Sequence, residues 1–247
     1  FVLRQWWFRW YLPILAASAL VVFVWSIVAI EPDRPLHRIR HGRLGAVGAV
    51  FRAAPRFWIF LVALLLVWTG FNAAWNFIGL RIERAGGGPF LLGAGAALGG
   101  LVEVPVMRLS SRLSNRLGLR PVFVTGCLVY AFGFLLWGLV EDPTLLSVLT
   151  VFEGAGFALL FTTMVVVIGR MLPSTLYSTG QSLAATMGFG IAPIIGAGIG
   201  GLVFDRYGPA TLYVGASLLT LCGAAVAWLA LSTPALSRPA HDAEPVL

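Results

Sequence analysis

Two carboxylic acids stand inside apolar text in this 247-residue chain: Glu103 in Leu-Val-Glu-Val-Pro-Val and Glu153 in Thr-Val-Phe-Glu-Gly-Ala-Gly. A carboxyl group taken out of water is costly, and it can bind and release a proton as its surroundings change, so each acid is a candidate for reversible proton binding or for gating. The alternative for both is a structural acid hydrogen-bonded to a neighbouring helix. Trp68, Asn72 and Asn76 recur every four residues and share one helix face, with Trp75 beside them. A ring together with amide donors and acceptors suits a sugar, a nucleoside or an aromatic acid. The same groups also serve as interhelical hydrogen bonds and interfacial anchors. Thr162 and Gln181 are weaker cavity candidates of the same kind.

The elements that must position these residues are apolar runs. The chain is 59% hydrophobic and 11% charged, which marks an all-α integral membrane protein rather than a soluble domain. Charged interruptions divide it into seven candidate transmembrane helices, at residues 11–30, 57–80, 89–107, 121–140, 145–168, 180–204 and 211–231. The third is about 19 residues long, enough at 1.5 Å per residue to cross a hydrocarbon core of about 30 Å. It carries Glu103 and runs into a segment with four arginines and no acid, residues 108–120, which marks that end as cytoplasmic.

The only long connection, residues 31–56, holds six arginines and reads as a cytoplasmic linker. Within it, residues 44–51 place Leu44, Val47, Val50 and Phe51 on one side, the pattern of a short helix lying at the headgroups, although Gly45 and Gly48 weaken it. With the linker inside, the inside segments hold twelve arginines and the outside segments five, as the positive-inside rule requires. The C-terminal tail, residues 232–247, is then cytoplasmic, and the lipid bilayer is the first partner.

Several classes drop out. The net charge of +7 lies in short loops between apolar runs, so nucleic acid is not an expected partner. All seventeen basic residues are Arg, which excludes a retinal protein because its Schiff base needs a Lys. Cys127 and Cys222 lie in apolar runs with no second ligand at metal spacing, and no metal, disulfide or cofactor is expected. Gly95-x-x-x-Gly99 and Gly196-x-x-x-Gly200 read as close helix contacts, and Pro193 as a bend.

Four segments together carry a resemblance: Gly70-Phe-Asn-Ala-Ala-Trp-Asn-Phe77, Leu101-Val-Glu-Val-Pro-Val-Met107, Arg116-Leu-Gly-Leu-Arg120, and Thr179-Gly-Gln-Ser-Leu183 followed by Gly200-Gly-Leu-Val-Phe-Asp-Arg-Tyr-Gly208. They resemble the major facilitator superfamily, in its branch of lactose permease, phenylpropionate permease and nucleoside:proton symporters. The resemblance implies that residues 1–30 end an N-terminal bundle, that residues 31–56 join the bundles, and that residues 57–231 form a complete six-helix C-terminal bundle. It implies proton-coupled symport of a small organic solute across an inner membrane by alternating access, with no enzymatic activity. It places Asn115, Arg116, Gly118 and Arg120 in a cytoplasmic gating loop. That loop often reads Asp-Arg-x-Gly-Arg-Arg or Lys in the family; here Asn115 replaces the acid, and Tyr177-Ser-Thr-Gly-Gln181 lacks an Arg often found ahead of its motif. The chain starts at Phe1 and reads as a piece of a longer protein whose N-terminal bundle would be the missing partner. Two other readings stay open: a non-transporting membrane scaffold or regulatory half protein, and a half-size carrier working as a dimer.

Overall fold

A computed structural model describes residues 43–233, together with Pro13, Ala16, Ala17, Leu20, Val21, Phe23, Val24, Trp25 and Leu236. The remainder of the expected first span, the linker before Arg43 and most of the C-terminal tail lie outside the described residues. The chain divides into two units, Phe1–Arg40 and His41–Leu247. In the first, the eight described positions are helical.

In the second unit the regular structure among the described residues is entirely helical. The helices are α1 Arg43–Ala53, α2 Pro55–Trp75, α3 Ile78–Arg84, α4 Pro89–Leu117, α5 Leu119–Leu139, α6 Pro143–Val148, α7 Thr150–Met171, α8 Tyr177–Ala185 and α9 Ala192–Ala230. A 3₁₀ turn, Ser174–Leu176, leads into α8, and a π-helical stretch, Thr186–Ile191, joins α8 to α9.

Five stretches are long and apolar enough to cross a membrane: Pro55–Arg84, Pro89–Leu117, Leu119–Leu139, Pro143–Met171 and Ser174–Ala230. The last has 57 residues, about 85 Å of helix, far more than one crossing needs. Gly208 breaks it. Its φ of 83° and ψ of 171°, followed by Pro209, stop one arm and start the next, close to where sequence separates residues 180–204 from 211–231.

Other boundaries differ from expectation. The span expected at residues 57–80 is interrupted at Asn76 and Phe77, between α2 and α3. The segment after Met107, expected as a loop, continues α4 for almost three more turns. Its polar residues leave the apolar layer without leaving the helix, and Arg116 sits in the last turn, where a cation complements the helix dipole. Gly118, with φ 88°, is the single residue between α4 and α5. The expected short helix of the linker forms as α1, and its Phe51 ring stacks on Trp58 of α2.

Between lipid-embedded helices there is little hydrophobic drive, so close packing and hydrogen bonds must hold the bundle. α9 packs on α2 and α5, and α7 packs on α4 and α5. The α2–α9 seam is built on small residues: a Cβ on Gly196 would stand 2.8 Å from the Thr69 carbonyl oxygen, and one on Gly223 would stand 2.6 Å from Val67. At one end of the bundle, Arg81 Nη2 donates to the Val140 carbonyl at 2.6 Å, satisfying the end of α5, and Arg84 lies 3.9 Å from Asp205. The Arg108–Arg120 segment and α1 occupy the opposite, arginine-rich end.

Candidate functional site

The seam between α4 and α7 brings the two acids together. The helices run parallel, because Gly95 meets Ser147 and Thr150, Gly99 meets Thr150 and Glu153, and Ser110 meets Thr162. Gly154 lies directly on the Gly99 backbone, so no side chain fits at that crossing. Hydroxyls then stitch the seam: Ser147 Oγ donates to the Leu91 carbonyl at 2.6 Å, and Thr150 Oγ1 lies 2.7 Å from the Gly95 carbonyl. Thr162 Oγ1 donates to the Ala158 carbonyl of its own helix at 2.5 Å, which leaves Ser110 as donor in the 2.7 Å Ser110–Thr162 bond.

Glu153 is buried at 7% exposure, and its Oε2 comes within 3.4 Å of where a Gly99 Cβ would stand. Glu103 follows Gly99 by one turn of α4 and is half-buried. The two acids thus stand on facing helices of one seam, about one turn apart along it. Neither has a hydrogen-bonding or ion-pair partner among the described residues, where the single ion pair is Arg84 with Asp205. An interior acid left without a partner is unusual, because burying an uncompensated charge is expensive. This arrangement is chemically suited to carrying protons in the neutral form and to meeting cations in the charged form.

The aromatic candidates lie elsewhere. Trp68 is 1% exposed and sits among Phe71, Phe157 and Phe189, with Gly188 against its ring. Asn72 Nδ2 donates to the Trp68 carbonyl at 2.8 Å, and its Cβ faces Gly196. Trp75 stacks on Phe71 and tilts against Trp137, while Asn76 is exposed at the break that ends α2. The periodic face of α2 therefore serves the bundle core for two turns and then ends. Gln181 Nε2 reaches the Tyr177 hydroxyl at 3.1 Å and the Val165 carbonyl at 3.4 Å, tying α8 to α7.

Asn115 and Arg116 are exposed on the last turn of α4, and Gly118 forms the link. Arg120 belongs to α5, its guanidinium carbon 3.5 Å from the centroid of the Trp228 ring. The expected gating loop is thus two helix ends and one glycine. Ser110, Ser147 and Tyr130 escaped the sequence reading. Ser147 precedes Thr150 by three residues, a spacing that could have marked it; Tyr130, inside an apolar run, gave no signal.

Helices of this length, close contacts through glycine and serine, and intramembrane acids define an integral, multi-pass α-helical membrane protein. Residues 9–214 match the MFS_1 like family, and the chain belongs to that family. It is similar to the maltose permease of Geobacillus stearothermophilus, 26% identical over 219 residues that cover 85% of this chain and 55% of that protein. It is also similar to the multidrug resistance protein MdtH of Enterobacter sp. (strain 638), 27% identical over 170 residues covering 68% of this chain and 42% of the relative. The MdtH of Shigella dysenteriae serotype 1 (strain Sd197) is 25% identical over 171 residues. The chain spans about half the length of these curated relatives.

Proposed function

We propose that the chain is the C-terminal half of a secondary active carrier that moves a small organic solute together with protons. The solute and protons cross by alternating access, as this bundle rocks against an N-terminal one. The observation that carries the reading is the Glu103–Glu153 pair: two carboxyls without partners among the described residues, about one turn apart along a hydroxyl-stitched seam between apolar helices. A purely structural role would give such acids partners. The relatives support the class: one is named a permease for maltose, the others multidrug resistance proteins.

The uncovered side of α4 supports a facing bundle. Only 11% of its apolar window is buried, against 61% for Pro55–Arg84, and Gly93, Ala94, Ala96, Ala97 and Gly100 stand exposed there among larger apolar side chains, small positions at which another helix can approach closely. The positive-inside rule puts the arginine-rich end and the C-terminus in the cytoplasm, in a bacterial inner membrane. In this reading Glu103 and Glu153 exchange the proton, and of the polar candidates Asn76, exposed where α2 ends, and the half-buried Gln181 are the ones left to border a solute path, Trp68, Asn72, Trp75 and Thr162 being engaged in helix packing.

The test is substitution in the complete carrier. Glu103→Gln and Glu153→Gln abolish proton-driven accumulation, and at one of the two positions counterflow survives. Normal accumulation by both variants would sink the coupling role. The 247-residue chain alone should not transport, and solute uptake by it in proteoliposomes would refute the half-carrier reading. A stabilisation screen with sugars, nucleosides and aromatic acids identifies the solute class.

A further inference from the structure

The Tyr130 hydroxyl is fully buried and has no hydrogen-bonding partner among the described residues. A buried donor in that position carries an uncompensated desolvation penalty. Its ring is held on three sides: stacked on Phe71 at 5.5 Å, beside Phe134 at 5.1 Å, and flush against Gly156 of α7, where no side chain would fit. Gly156 follows Glu153 by three residues, so it presents the same face of α7. The titratable groups that act on the Tyr130 hydroxyl are Glu153 from α7, Glu103 from α4 and the Cys127 thiol of its own helix. The α2 residues against its ring, Phe71 above all, are apolar. An orphaned donor and an orphaned acceptor thus occupy adjoining turns of the α5–α7 seam.

We propose that Tyr130 is a positioning residue for proton exchange, donating its hydroxyl hydrogen bond to the Glu153 carboxylate whenever that group has given up its proton. This rests on the reading that Glu153 carries the transported proton. The proton leaves the Glu153 carboxyl for water on the open side of the carrier, forming hydronium and a carboxylate; Tyr130 keeps its own proton and turns it towards the new charge. When the proton returns, the carboxyl is neutral and the bond is released, the state in which both groups stand unpartnered. Of the two acids Glu153 is the more deeply buried, at 7% exposure against the half-buried Glu103, so its charge gains more from a donor beside it.

Tyr130→Phe keeps the ring and removes only the donor. In the complete carrier, proton-driven accumulation falls at least tenfold while counterflow stays within twofold of wild type, which also shows that the variant is folded. Infrared difference spectra, with the Glu153 bands assigned by their loss in Glu153→Gln, show the carboxylate stretch displaced and the protonated-carboxyl stretch unmoved. A merely structural tyrosine would move both or neither. Fluorotyrosine at position 130, a stronger donor of nearly the same shape, displaces the carboxylate band in the opposite direction and stands in if the Phe variant does not fold. If Tyr130→Phe accumulates normally, or if neither substitution moves the carboxylate band, the assignment of Tyr130 is overturned. Glu153→Gln then separates the two claims: its failure to accumulate leaves the proton role standing, and its normal accumulation removes both.

Discussion

Two of the bundle's four main helix seams are made differently. Where α2 meets α9, glycines let the backbones close and the contact continues into an aromatic cluster running from Trp68 through Phe71 and Tyr130 to Trp137 and Tyr213. Where α4 meets α7, a Gly99–Gly154 crossing is flanked by hydroxyls bonded to the opposite helix and by two acids without a partner among the described residues. The first seam is apolar and many-sided, with a cavity of about 370 Å³ opening beside Thr69, Gly196 and Ala216, and separating it forfeits the ring contacts. The second is a single stripe, so α4 can part from α7 along one line, and hydroxyls that lose a carbonyl there can take water. Stability resides in one seam and adjustable chemistry in the other.

The largest effect that tests this contrast is expected from Trp68→Ala. Removing a fully buried ring against which Phe71, Phe157 and Phe189 pack should cost about 3–5 kcal/mol, read as a fall in unfolding midpoint in detergent. A loss below about 1 kcal/mol would mean that the aromatic cluster is not what holds the bundle. Next comes Gly154→Val. Its side chain cannot coexist with the Gly99 backbone, so α4 must move away, at about 1–3 kcal/mol; the near-ultraviolet circular dichroism of the aromatic cluster should persist. Loss of that signal along with stability would show the two seams to be one cooperative unit. The smallest effect belongs to Ser110→Ala combined with Thr162→Val in a double-mutant cycle. Their coupling should be about 0.6 kcal/mol and no more than about 1.7 kcal/mol, as for hydrogen bonds between membrane helices generally. A larger coupling would make the hydroxyl bridge a structural clamp rather than an adjustable contact.

Much of this plan was legible in the text of the chain. Apolar run length located the helices, because the hydrocarbon thickness fixes how many residues must be apolar. Gly95, Gly99, Gly196 and Gly200 announced close contacts, and Glu103 and Glu153 stood out because ionisable residues are rare in such runs. Helix ends were harder: hydropathy reports where a segment leaves lipid, not where its backbone hydrogen bonding stops, and α4 continues well past Arg108. The Trp68, Asn72 and Asn76 face was correctly periodic, yet periodicity does not say which neighbour a face meets. α9 and the aromatic cluster took the first two positions, and the break at Asn76 exposed the third. Tyr130 was invisible because its meaning depends on Gly156 and Glu153, more than twenty residues away along the chain.

Gly118 gives α4 a mechanical property. With one residue between the two helices, there is no slack at that end, and any swing of α4 must pivot there. Glu103 sits fifteen residues up the shaft, about 22 Å from the fulcrum at 1.5 Å per residue. A tilt of about five degrees of a straight shaft therefore carries its carboxyl through about 2 Å past the face of α7. The glycine makes the helix a lever whose load is the acid.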